Sequence, residues 1–142
     1  MLTFFSEEGE QLVIAAIQEM ECRTSGEVRV HIQEHCQGNI LDDAARVFRN
    51  LKMHETKERN GVLIYIVPER HEFAVIGDKG INERVPEDYW QDVRDIIQAH
   101  FKAGTFAEGV ATAVERIGEK LAVHFPATND GQNQLPDDIS YG

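Results

Sequence analysis

Residues 59–81 read RNGVLIYIVPERHEFAVIGDKGI, and this stretch decides the fold. Two apolar runs of strand type, 62–67 and 72–76, flank the charged, proline-initiated turn Pro68-Glu69-Arg70-His71, which makes a β-hairpin. The step Gly77-Asp78-Lys79-Gly80 follows at once. Asp and Gly are ordinary turn residues, so a lone acid between two glycines takes its meaning from what the rest of the chain sets beside it.

Upstream of the hairpin, residues 26–33 alternate Val28, Val30 and Ile32 on one face against Glu27, Arg29 and His31 on the other, which predicts a half-buried strand. Gly38-Asn39 breaks the chain. From Asp42 the residues Ala44, Val47, Phe48 and Leu51 recur with helical spacing, so strand, helix and strand complete a crossover unit and the class is α/β. Ser6 caps an earlier helix over 6–22, whose apolar stripe is Val13, Ala16, Ile17 and Met20. After the hairpin, Pro86 opens a helix carrying Trp90, Val93, Ile97 and Phe101 that Gly104 ends. A last helix begins near Phe106, carries Val110, Val114, Ile117 and Leu121, and stops before Pro126. Residues 1–126 therefore form a single domain. Residues 127–142, rich in Asn, Asp, Gln, Gly and Pro, are expected to be a mobile polar tail, or one held only through Ile139 and Tyr141.

Topology gives the glycine-flanked acid its neighbours. A crossover makes the first two strands parallel, so Glu27 and Asn60 begin at the same edge of the sheet, and the antiparallel third strand returns Asp78 to that edge. Carboxylates, an amide oxygen and carbonyls of a glycine-rich loop are the ligands that hard cations prefer, so Glu27, Asn60 and Asp78 are the candidate metal ligands and calcium outranks zinc. The plain alternative is an exposed Glu27–Arg29 ion pair beside an unremarkable turn.

The chain has 142 residues, 42% of them hydrophobic and 27% charged, as a soluble one-domain protein would. Its formal net charge of −11 disfavours nucleic acid and anionic lipid as partners and favours cations or basic proteins. No apolar run reaches the roughly 18 residues of a membrane span, and the N-terminus lacks a basic region before an apolar one; a cytoplasmic location is expected. Cys22 and Cys36 are the only cysteines, read as reduced, small hydrophobes. Dinucleotide, Walker, zincin, hydrolase-elbow and EF-hand signatures are absent, and no catalytic residue is assigned. The histidines are scattered, and His31 with His35 makes a weak zinc pair at best.

The blocks TSGEVRVHI, ERNGVLIYI, ERHEFAVIGDKGIN and FKAGTFAEGVATAVERIG, in this order, resemble the TPM domain, most of all short bacterial proteins consisting of that domain alone. The resemblance implies a three-layer α/β/α sandwich around a small mixed sheet. It also implies two classes of function. One is a calcium-binding module with an acidic crevice and a regulatory or protein-interaction role. The other is a metal-assisted acid phosphatase of low specificity, in which Asp78 and Glu27 hold the ion and Arg29 or Arg59 steadies phosphate.

Overall fold

The computed structural model describes residues 4–127 and 139–142. Ser6 accepts the Gly9 N–H at 3.0 Å and starts helix α1, Glu7–Glu21, with three glutamates in its electropositive first turn. Strand β1, Glu27–Ile32, follows. Asn39 caps α2, Ile40–Asn50, by accepting from Leu41 and Asp42, so this helix starts at the Gly38-Asn39 break rather than at Asp42. A 3-10 turn, Met53–Glu55, leads to β2, Gly61–Val67. The hairpin turn is a second 3-10 turn, Pro68–Arg70, closed by His71 in the left-handed region at φ 55°. Strand β3, Glu72–Gly77, runs into a short helix α3, Lys79–Asn82. Helix α4, Glu87–Ala103, ends at Gly104 with φ 78°, and α5, Phe106–His124, ends just before Pro126.

The sheet has the order β3-β2-β1-β4. β1 and β2 are parallel with Glu27 opposite Gly61, and β2 and β3 are antiparallel with Val62 opposite Gly77. The fourth strand, β4, is Ile139–Tyr141, laid parallel to Val30–Ile32 of β1. Ile139 and Tyr141, the two residues by which the tail was expected to hold on, thus both lie in the sheet, with Ile139 buried. Residues 128–138 of that tail lie outside the described residues.

Helices cover both sheet faces. Val28, Val30, Ile32, Val62, Ile64 and Ile66 pack with α1, α4 and α5, while Leu63, Tyr65 and Val67 pack with Ala44, Val47 and Phe48 of α2. This is the three-layer sandwich. It also corrects the half-buried strand: in β1, Glu27 and His31 are buried as fully as the apolar residues between them. A central parallel strand has no solvent face once helices pack on both sides, so polar alternation there marks a polar interior rather than water.

Candidate functional site

The start of β1, the start of β2 and the end of β3 do form one edge. The Glu27 N–H meets the Asn60 carbonyl at 3.4 Å, and the Asp78 N–H meets that of Gly61 at 2.9 Å. All three predicted ligands are buried there, Glu27 to 6%, Asn60 to 1% and Asp78 to 7% exposure. They do not share one face. Register sets Glu27 beside Gly61, and Asp78 continues β3 beside Gly61 from the other side, so the two acids flank a residue with no side chain. Asn60, one residue earlier, alternates to the opposite face, where its amide reaches Ser25 Oγ at 3.4 Å. Asn60 Oδ1 is buried with no hydrogen-bond partner among the described residues.

Asp78 is the most constrained of the three. Arg59 donates Nε to Oδ2 at 2.7 Å and Nη2 to Oδ1 at 2.9 Å, while Oδ1 also caps α3 through the Lys79 N–H at 2.8 Å. Such a two-pronged grip is the strongest form of charge-assisted hydrogen bond. It raises the guanidinium above its ordinary pKa, the hydrogen bond to Asp78 being the largest cause. Arg59 holds this pose with a left-handed backbone, φ 52°, uncommon for a residue with a side chain. The short helix that Asp78 caps was not foreseen, although Asp followed by a glycine-containing turn is a readable start signal.

In kind, the donors suit calcium: two carboxylates and an amide oxygen that no donor among the described residues reaches. In arrangement, both Asp78 oxygens are engaged by Arg59, and Asn60 lies across the sheet from the acids. Among the described residues no group of three or more His, Cys, Asp or Glu side chains is placed to share a metal ion.

The neighbouring surface departs from the expected acidic crevice. An open cleft of about 470 Å³ beside Asp78 is lined by Lys57, Arg59, Lys79 and Arg84, against the two carboxylates Glu58 and Glu83, with His124 and Phe125 closing one side. Gly80 causes this gathering. A Cβ there would overlap the Glu58 carbonyl and stand 2.6 Å from that of Arg59, so only glycine lets α3 press on the 58–59 backbone and bring the two basic stretches together.

A second polar group lies under α2. His31 is stacked on Tyr65 with ring centroids 5.8 Å apart, and its Nδ1 and Nε2 lie 2.7 Å from Ser140 Oγ and 2.8 Å from Gln33 Oε1. The Tyr65 hydroxyl donates to Asp43, which Arg46 also engages. Burial, then the Asp43 hydrogen bond, pushes the Tyr65 hydroxyl far above its ordinary pKa. Burial likewise lowers the pKa of His31. Sequence reading left His31 as a scattered histidine, because its partners come from α2, β2 and β4. His31 and His35 do not pair: His35 turns outward to Glu69 at 2.6 Å.

The family model described as TPM domain, whose name includes the word phosphatase, matches residues 2–120. The chain belongs to the TPM-domain family. Among solved structures it is similar to the NMR structure of the BA42 protein from the psychrophilic bacterium Bizionia argentinensis. The two are 42% identical with a TM-score of 0.92, over 100% of this chain and 98% of that one. The N-terminal domain of a protein from P. gingivalis has the same fold at 18% identity and a TM-score of 0.69, covering 88% of this chain and 83% of that one. No curated protein matches. Among the described residues no helix is long and apolar enough to cross a membrane.

Proposed function

We propose that this TPM domain is a divalent-cation-binding module, calcium ahead of magnesium, with a regulatory or protein-interaction role. The observation that carries the reading is the pair of buried carboxylates, Glu27 and Asp78, flanking Gly61 at one sheet edge. Asn60, on the opposite face of the same edge, adds an amide oxygen with no hydrogen-bond partner among the described residues. Buried carboxylates are costly unless a cation or donors compensate them. Arg59 does this for Asp78, so a metal ion and the guanidinium compete for one carboxylate. Calcium suits carboxylates on a glycine-flanked turn because it accepts irregular oxygen cages, whereas magnesium keeps its waters.

Thermal unfolding in chelator, calcium and magnesium tests this. Calcium should raise the melting temperature by an increment that grows with the logarithm of free ion above the dissociation constant. Asp78→Asn should abolish the shift and Glu27→Gln reduce it, while the hairpin control Glu72→Gln keeps it. A calcium shift unchanged in Asp78→Asn would leave Asp78 as a helix cap and ion-pair partner only.

A metal-assisted phosphatase is the second reading, favoured by the basic cleft beside Asp78 and by the name of the family model. Here a metal ion would supply charge neutralisation and an activated water, and Arg59 would face the substrate phosphate. Turnover of an aryl phosphate on the order of 10 per second, lost in Asp78→Asn, would establish it over the binding module.

A further inference from the structure

Strand β3 is an outer strand of the sheet, bonded to β2 on one side only. The Asp78 N–H meets the Gly61 carbonyl, and main-chain direction alternates residue by residue along an antiparallel strand. Ala74 and Ile76 therefore turn their N–H and C=O toward β2, while Phe73, Val75 and Gly77 turn theirs outward. Asn82 Nδ2 donates to the Gly77 carbonyl at 2.7 Å and closes that end. Phe73 and Val75 have no main-chain partner on the outer side among the described residues. Their side chains stay with the sheet faces: Phe73 and Val75 pack on the core under α1, α4 and α5, and Ala74 and Ile76 on the core under α2. Proteins guard such edges with proline, lysine, a bulge or an inward charge. Residues 73–77, FAVIG, carry none of these and pair with β2 in unbroken register.

We infer that this edge is a self-association surface, on which a second copy of the chain lays its own β3 antiparallel across a two-fold axis at Ala74. An antiparallel pair exchanges main-chain hydrogen bonds between residues that turn toward the partner. Centring on Ala74 sets Phe73 of each copy opposite Val75 of the other, so both open residues are used and nothing is asked of Gly77. Centring on Val75 would set Phe73 opposite the closed Gly77, and Glu72 opposite Asp78, a like charge. Centring on Phe73 would set Val75 opposite His71, whose left-handed backbone, φ 55°, has left the strand. The Ala74 register also opposes unlike charges, because beyond the strand ends it brings the exposed Glu69 of one copy toward the exposed Lys79 of the other. Ala74 meets its own counterpart where antiparallel strands approach most closely, and a methyl group is small enough for that contact. The product is an isologous pair with one sheet running through both copies.

A strand pair alone makes a small interface, so the association is weak. Copies of formal charge −11 repel each other, and salt screens that repulsion. Sedimentation of the whole chain in chelator, from about 10 μM to about 1 mM, measures the association apart from any cation at Asp78. A monomer–dimer equilibrium that tightens with added sodium chloride is expected, and amide exchange at Phe73 and Val75 should slow as concentration rises. Val75→Pro removes an outward N–H that β2 does not use, at a position where an edge strand tolerates proline, and should abolish the dimer. Glu69→Lys and Lys79→Glu change the surface and leave the strand intact. Each should weaken the dimer about tenfold, because the loss counts twice across the axis, and the double swap should restore it. Three results would each overturn the inference: a chain still monomeric at the highest concentration in high salt, a dimer whose Phe73 and Val75 amides exchange as in the monomer, or association unchanged in both charge variants.

Discussion

Arg59 grips both carboxylate oxygens of Asp78, at 2.7 and 2.9 Å, from a backbone position that glycine would occupy more easily. The acid is buried to 7% exposure while the Arg59 side chain keeps 38%. Removing the two partners is therefore not symmetrical. Arg59→Ala strands an ionised carboxylate in the interior, whereas Asp78→Asn keeps an oxygen to cap α3 and leaves a guanidinium that can turn to water. Urea denaturation should rank Arg59→Ala as the more destabilising, with Arg59→Gly recovering part of the loss by relieving the left-handed backbone. Asp78→Ala should cost about 1 kcal/mol from the lost cap alone. An Arg59→Ala protein as stable as Asp78→Asn would mean that the pair does not compensate the buried charge.

Gly80→Ala should be among the most damaging single changes at this edge. The new methyl group meets backbone, the Glu58 and Arg59 carbonyls, which cannot swing aside as a side chain can. A loss of about 3 kcal/mol or more is expected. Gly104→Ala, at φ 78° with nothing within 4 Å among the described residues, should lose only about 1 kcal/mol. Chemical denaturation of the two variants side by side checks the order.

Much of this geometry was legible in the residues, and its limits have physical causes. The crossover, the hairpin and the antiparallel return follow from period-2 and helical spacing, and they alone bring Glu27, Asn60 and Asp78 to one edge. Which face each side chain takes depends on register, and Asn60 sits one residue from the position that would have joined the acids. The capping of α3 by Asp78 was missed because that helix has a single turn, too short for a periodic signal. Arg59 was legible as a basic side chain at this edge, but the cleft around it was not, because Lys57 and Arg59 are distant in sequence from Lys79 and Arg84, and only the Gly80 contact unites them. The strand at Ile139–Tyr141 is too short, in too polar a tail, to announce itself.

His31 makes stability depend on pH in a defined direction. Desolvation by burial is the largest cause holding it below the ordinary 6.5, the Gln33 hydrogen bond opposing. Of the charged groups facing it, Arg29 and Arg46 lower it further and Asp43 raises it. The folded chain thus keeps His31 neutral at a pH where the unfolded chain binds the proton. The contribution is fully present above 6.5 and is lost as pH falls from there toward the lower folded value. Melting temperature should drop on acidification below 6.5 in the wild type, and His31→Gln should flatten that slope. Equal slopes in the two proteins would show that other groups control the acid limb.

The central claim is that a cation binds where Glu27 and Asp78 flank Gly61, and amide chemical-shift mapping during a calcium titration tests it most directly. The account predicts saturable perturbations centred on residues 26–28, 59–61 and 77–79, weaker with magnesium and absent in Asp78→Asn, with Arg59 shifting as its carboxylate is taken over. Perturbations that fail to saturate, or that centre on the acidic surface of α1 or α2, would contradict it.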